Sequence, residues 1–128
     1  MAQLDEHDKV IEALYTAYKT QYPKVYKNPN QEKNTTIKGH PNIYPDIIVT
    51  NEQNILVLIE EVETRDFVTE EHAKEQWVAY SKVRTTFYLM VPFGSQINAR
   101  AILTKLKITA TVRCYSITKD GKVTFLSC

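Results

Sequence analysis

The sequence predicts an α/β protein with a single mixed β-sheet flanked by helices. Apolar runs typical of buried strands occur at residues 44–49, 55–59 and 86–91. Segments with helical spacing of apolar residues precede the first run, separate the second from the third, and follow the third. An Asp-Gly pair between two β-prone segments near the C-terminus predicts a hairpin. With one short strand before the first run, the element order is αβββαβαββ.

Composition predicts one domain over residues 1–128. The chain is 43% hydrophobic and 24% charged, which is ordinary for a globular protein with its own core. We expect a cytoplasmic protein with no membrane partner, because the sequence has no secretion signal and no apolar run of membrane-spanning length. Cys114 and Cys128 show neither a disulfide framework nor a zinc spacing, which agrees with a reducing compartment.

The first helix is predicted from about Asp5 to Tyr22, and Pro23 ends it. Its apolar face carries Ile11, Leu14, Tyr15, Tyr18 and Tyr22. Asp8 and Glu12 lie at the edge of this face. A carboxylate in that position usually faces solvent.

A loop is predicted over residues 24–34, followed by a short strand at 35–38 and a turn at 39–42. His40 lies in this turn. It could reach a site or a phosphate from there, although a single loop histidine usually does neither.

The next two strands carry acidic residues. If residues 51–54 form a hairpin, the two strands are antiparallel and Asp46 comes close to Glu61 and Glu63. Alternation places Glu61 and Glu63 on one face, with Glu60 and Val62 on the other. Carboxylates gathered in this way either raise each other's pKa or hold a cation such as Mg²⁺ or Mn²⁺. The alternative is a solvent-facing strand edge.

A second helix is predicted from the cap Thr69 to about Lys82, with Trp77 and Tyr80 packing inward. From this position, Tyr80 could be either a core residue or a site residue. Gln76 lies beside the apolar face and is polar, so it is a better candidate for orienting a water or a phosphate. Lys82 is a solvated charge or an accessory site residue.

The remaining elements follow the same patterns. Pro92 closes the strand at 86–91, and Ser95 is predicted to cap a helix from Gln96 to about Lys107. The last two strands are expected at 111–117 and 122–126.

Two motifs resemble those of the PD-(D/E)XK nuclease superfamily. Pro45-Asp46 followed by Glu61-Val62-Glu63 is similar to its signature, although Glu63 stands where lysine is usual. Some restriction endonucleases of the superfamily carry Glu-x-Glu at that position. Gln76 and Tyr80 resemble the Gln-x-x-x-Tyr element of its recombination-exonuclease branch. The resemblance covers most of the chain.

The resemblance implies a restriction-endonuclease-like fold and a Mg²⁺- or Mn²⁺-dependent nuclease that hydrolyses DNA phosphodiester bonds. Asp46, Glu61 and the Val62 carbonyl would bind the metal, and Glu63 would accept a proton from water or bind a second ion. Gln76 joins these as a catalytic candidate. An acid of the first helix often joins the site in this superfamily, which makes Glu12 an accessory candidate, with His40, Tyr80 and Lys82.

Two other classes of function remain open. The chain could be an inactive member of the fold that binds nucleic acid or a protein partner, for which the missing lysine is the discriminating feature. A hydrolase unrelated to nucleic acid finds no support, because no nucleophile-elbow, phosphate-loop or metalloprotease motif is present.

Charge is unevenly placed along the chain. Residues 81–128 contain Asp120 as their only acidic residue, whereas acids outnumber bases before them. This split suits a phosphate backbone, or it is solvated surface charge. We expect a nucleic-acid partner, DNA rather than RNA, and specificity supplied by a homodimer or a larger protein partner.

Overall fold

The computed structural model describes residues 5–29 and 33–128. Within these residues, six strands form one mixed sheet whose spatial order follows the chain order. They are β1 (Lys24–Lys27), β2 (Ile47–Thr50), β3 (Leu56–Val62), β4 (Thr86–Pro92), β5 (Thr111–Ile117) and β6 (Val123–Leu126). Strand β4 is parallel to both β3 and β5, and the other neighbouring pairs are antiparallel. The predicted α/β class with a single mixed sheet is confirmed.

The helices are α1 (Glu6–Lys19), α2 (Glu70–His72), α3 (Val78–Ser81) and α4 (Gln96–Leu106). A π-helical segment, Ala73–Trp77, joins α2 directly to α3, and we refer to the three together as the composite helix. A 3-10 turn, Arg65–Phe67, leads into it. No helix in the described residues is both long enough and apolar enough to cross a membrane.

Helix caps set where these elements begin. Asp5 caps α1 by accepting from the Asp8 amide, and Thr69 caps α2 by accepting from the His72 amide. Ser95 occupies the N-cap position of α4, but its side chain makes no capping hydrogen bond there, contrary to prediction.

The sheet is covered on both faces. Helix α1 packs Val10 and Leu14 onto one face, against residues such as Ile47 and Leu58. The composite helix and α4 pack onto the other face, where Trp77 joins a separate core. The two clusters explain why β3 is apolar on successive positions, since both of its faces are buried.

The predicted position of the first strand was wrong. Strand β1 lies at Lys24–Lys27, inside the segment predicted as a loop, and pairs with β2. The strand has four residues, begins and ends with lysine, and has Val25 as its one buried residue. The alternation of apolar and polar residues is therefore too short to be recognised in the sequence. Residues 35–38 instead contribute an isolated bridge between Ile37 and His40.

The expectation for the cysteines was also wrong. Cys114 on β5 and Cys128 form a disulfide whose Cα atoms lie 6.1 Å apart. Cys114 is fully buried in the core, so the bond attaches Cys128 to a core residue of β5.

Replacing Cys128 by serine is expected to lower the free energy of unfolding by about 3 kcal/mol, because the bond joins residues 14 positions apart and so reduces the conformational entropy of the unfolded chain. Urea unfolding with and without reductant measures this loss. Reductant should bring the original protein to the midpoint of the variant and leave the variant unchanged. Equal midpoints for the two oxidised proteins would contradict a stabilising bond.

Candidate functional site

Three carboxylates lie at the end of the sheet where β2 begins and β3 ends. Asp46, Glu61 and Glu63 are 7%, 4% and 4% exposed. The Val62 amide donates to Asp46 Oδ2 over 2.8 Å, and the Asp46 amide donates to Glu61 Oε1 over 2.9 Å. Asp46 and Glu61 are therefore held together by reciprocal backbone bonds between the two strands.

Glu63 is held by the composite helix. The Trp77 indole donates to Glu63 Oε2 over 2.6 Å. His72 Nε2 lies 2.7 Å from the same oxygen, in a close contact without hydrogen-bond geometry. The contact with Glu63 raises the pKa of His72, against the opposing effect of partial burial. The π-helical segment ends on Trp77, so this irregular turn carries the donor.

His7 reaches the site from the first turn of α1. Its Nε2 lies 3.1 Å from Asp46 Oδ2, and its Nδ1 lies 3.2 Å from Asp8 Oδ1. Burial lowers the pKa of His7, but the two carboxylates outweigh burial and raise it to about 9. At neutral pH, His7 is therefore an imidazolium that bridges Asp8 and Asp46.

The N-terminus of α1 is fixed at this position by a second contact. The Tyr115 hydroxyl donates to Glu6 Oε2 over 2.5 Å and lies 3.3 Å from the Glu63 carbonyl oxygen. Strand β5 thereby joins α1 to the end of β3.

Carboxylates are more numerous than basic groups at the site. Burial raises the pKa of Glu61 well above its ordinary value, and the charges on Asp46 and Glu63 raise it further. Burial and the same carboxylates also raise the pKa of Tyr80. With Asp8, four buried carboxylates face two imidazoles, His7 and His72. Carboxylates therefore outnumber imidazoles by two in this group.

The other predicted residues lie at different distances from this group. Tyr80 is buried and packs edge-to-face on Phe87. It is close enough to the carboxylates for their charges to raise its pKa. Gln76 is half-buried on the composite helix, where Trp77 and not Gln76 bonds Glu63. Lys82 is exposed at the end of α3.

Two accessory candidates make contacts elsewhere. Glu12 pairs with Lys27 on β1, with 2.5 Å between Oε1 and Nζ. Asp8, at the edge of the same helical face, is the α1 carboxylate joined to Asp46 through His7. His40 lines a cavity beside β1 and β2.

A second acidic group adjoins the strand carboxylates. Among residues 5–29 and 33–128, Asp5, His7 and Asp8 bring three ligand-type atoms within 4.8 Å of one another. The Asp5 carboxylate accepts from the Asp8 amide as the cap of α1, and both nitrogens of His7 contact carboxylates. These contacts explain why the three side chains are close together: Asp5 caps the helix, and His7 bridges Asp8 and Asp46.

Sequence reasoning missed His7 and the polar role of Trp77. His7 is separated from Asp46 by 39 positions, and the helical pattern gives no sign of that contact. Trp77 was predicted as a core residue, and this is confirmed because its side chain is fully buried. A buried indole also requires a hydrogen-bond acceptor, and the nearby acidic strand was the available signal.

Glu60 forms a separate cluster on the α1 face. It is fully buried and accepts from the Tyr18 hydroxyl over 2.5 Å, while Arg113 Nη1 lies 3.3 Å from the same oxygen. Burial raises its pKa to about 7, although Arg113 and Tyr18 oppose the shift. The pKa of folded Glu60 thus lies above its ordinary value of 4.5.

Replacing Glu60 by glutamine is expected to reduce the pH dependence of stability. Because folding raises this pKa, the contribution of Glu60 is fully present below pH 4.5 and is lost as pH rises towards 7. The full loss is about 3 kcal/mol. Urea unfolding from pH 4.5 to 8 should give a flatter profile for Glu60→Gln than for the original protein, and parallel profiles would contradict a raised pKa.

Comparison with protein-family models, characterised proteins and solved structures found no match.

Proposed function

We propose that this protein is a metal-dependent nuclease that hydrolyses DNA phosphodiester bonds at Asp46 and Glu61. The observation that carries the proposal is the buried excess of carboxylates where β2 meets β3. Oxygen ligands of this kind suit Mg²⁺ or Mn²⁺. The α1 helix, the β1–β3 meander and the composite helix between β3 and β4 also agree with a restriction-endonuclease-like core.

The donor set fits a hard divalent cation. Asp46 and Glu61 each use one oxygen to accept a backbone hydrogen bond, and the second oxygen of each is the proposed ligand. The Val62 carbonyl is proposed as a further oxygen ligand, as in the resemblance to the superfamily. A bound dication would lower the pKa of a coordinated water and offset charge on the phosphoryl oxygens.

Glu63 is proposed to accept the proton of the attacking water. The Trp77 bond fixes the orientation of this carboxylate, which a general base requires. His72 contacts the same carboxylate, and its raised pKa favours the imidazolium form near the position where the PD-(D/E)XK superfamily carries lysine. Gln76, Tyr80 and Lys82 stay candidates for positioning the phosphate.

A second candidate is an inactive module that binds nucleic acid or a protein partner. The His7 contacts favour it, because an imidazolium between Asp8 and Asp46 offsets part of the negative charge without a metal. Glu63 in place of lysine points the same way. This module would bind its partner without turnover.

The test is cleavage of supercoiled plasmid and of labelled DNA and RNA oligonucleotides with Mg²⁺, Mn²⁺ or EDTA. The proposal predicts DNA cleavage with either metal and none with EDTA. Nucleic-acid binding without cleavage under any of these conditions would favour the inactive module. The preference for DNA over RNA and the homodimer or larger partner are predictions that the same assays and sedimentation address.

A further inference from the structure

A groove of about 570 Å³ lies beside β1 and β2, on the sheet face that carries Glu61 and Glu63. Its floor is apolar and includes Ile37, Ile48, Leu56 and Val83. The composite helix and α4 cover this face over the central strands, which leaves the β1–β2 margin open. The volume lies within the range of small-ligand sites.

The groove is cationic at its rim. Lys38 and Arg84 line it, both are exposed, and neither is paired with a carboxylate in the described part of the chain. No aspartate or glutamate is among the described residues that line it. By contrast, Lys27 and Lys105 are each paired with a glutamate. The groove therefore complements an anion.

Aromatic and hydrogen-bonding groups accompany these charges. The Tyr26 ring is 36% exposed and borders the groove, and Thr35, Thr36 and Asn54 add neutral polar groups. An aromatic ring above an apolar floor suits the face of a nucleobase. A base within a duplex already has both faces stacked on its neighbours, so only an unpaired base could use this surface.

The groove is joined to the carboxylate site by one buried side chain. Asn28 is 1% exposed, and its amide nitrogen donates to the carbonyls of Thr35 and Pro45 over 2.8 and 2.7 Å. The Thr35 amide donates back to Asn28 Oδ1 over 2.7 Å. Along β2, Ile48 lies two residues from Asp46 on the same face, about 7 Å away by strand geometry. The groove therefore lies next to the strand end that carries the carboxylates.

We propose that this groove binds an unpaired nucleic-acid strand, with a base against Tyr26 and the backbone beside Lys38 and Arg84. The proposal deepens the proposed function, because the strand held here is the substrate that continues into the Asp46 site. The enzyme would then act on single strands, overhangs or flaps in preference to intact duplex.

The test is binding of a fluorescein-labelled thymidine dodecamer in EDTA, followed by fluorescence anisotropy at fixed salt. Tyr26→Leu and Arg84→Ala should each weaken binding by roughly tenfold. Tyr26→Phe keeps the ring, and Lys119→Ala removes an exposed lysine in the distant β5–β6 turn, so both should bind as the original protein does.

Three results would overturn the groove assignment. The first is that the groove variants bind the dodecamer as tightly as the original protein does. The second is that the original protein binds the matching duplex as tightly as the single strand, or more tightly. The third is that thymidine monophosphate competes as effectively as the unlabelled dodecamer. Because the assay contains no metal, it separates the two proposals. Groove-dependent binding without metal-dependent cleavage would support the groove proposal and contradict the nuclease proposal. Metal-dependent cleavage that the groove variants do not change would support the nuclease proposal and contradict the groove proposal.

Discussion

Replacing Asp46 by asparagine is expected to reduce metal-dependent DNA cleavage by roughly 1,000-fold or more, since it removes a charge on which the proposed chemistry depends. The amide oxygen can still accept from the Val62 amide, so the strand junction should persist. The loss should appear in kcat with both Mg²⁺ and Mn²⁺. Circular dichroism checks that the variant is folded.

Asp120→Asn is the matched control. Asp120 lies in the exposed turn between β5 and β6 and bonds Thr118 locally, so its replacement should leave cleavage unchanged. Cleavage by Asp46→Asn at the rate of this control would show that the activity arises elsewhere.

Replacing Glu61 by glutamine is expected to abolish stabilisation by Mn²⁺ as well as cleavage. For the original protein, metal at 100 times its dissociation constant should add about 2.7 kcal/mol to the free energy of unfolding. For a domain of this size, that corresponds to a rise of several degrees in Tm. The variant lacks one proposed metal ligand, so Mn²⁺ should add little to its free energy of unfolding.

Without metal, the same variant should be more stable than the original protein at neutral pH. Folding raises the pKa of Glu61 above its ordinary value of 4.5, so its contribution is present below that pH and is lost as pH rises through the folded pKa. Glutamine has no such dependence. Differential scanning fluorimetry from pH 4.5 to 8, with Mn²⁺ or EDTA, measures both effects.

Glu52→Gln, in the exposed β2–β3 hairpin, controls for general loss of negative charge. It should respond to Mn²⁺ as the original protein does. An equal Mn²⁺ shift in Glu61→Gln, or a lower Tm than the original protein in EDTA at pH 8, would contradict the account of this carboxylate.

The central strands could be predicted because burial leaves a direct pattern in sequence. Strand β3 is apolar on successive positions, and the break at residues 51–54 implies an antiparallel partner. Ile47 pairs with Glu60, so Asp46 comes opposite Glu61 by simple counting. The meeting of these two carboxylates thus follows from register.

The edge of the sheet could not be predicted in the same way. Strand β1 spans Lys24–Lys27, and a strand of that length with lysine at both ends resembles a polar loop. Its stability comes from pairing with β2 and from the contact of Val25 with the α1-side core. Both are tertiary effects that local propensity does not report.

The surroundings of the carboxylates also depend on tertiary contacts. His7 reaches Asp46 because Tyr115 holds the start of α1 against the end of β3. The π-helical segment shifts the helical periodicity just before Trp77, and regular spacing cannot anticipate that shift. The pairing of Trp77 with Glu63 therefore does not follow from helical spacing, and only the need of a buried indole for an acceptor indicated it.

The most direct measurement is the position of Mn²⁺ in a crystal soaked with that ion, located by anomalous scattering. We predict a peak between the carboxylates of Asp46 and Glu61, beside the Val62 backbone. A peak confined to Asp5, His7 and Asp8, or none at a concentration that supports cleavage, would contradict a metal centre on the paired strands.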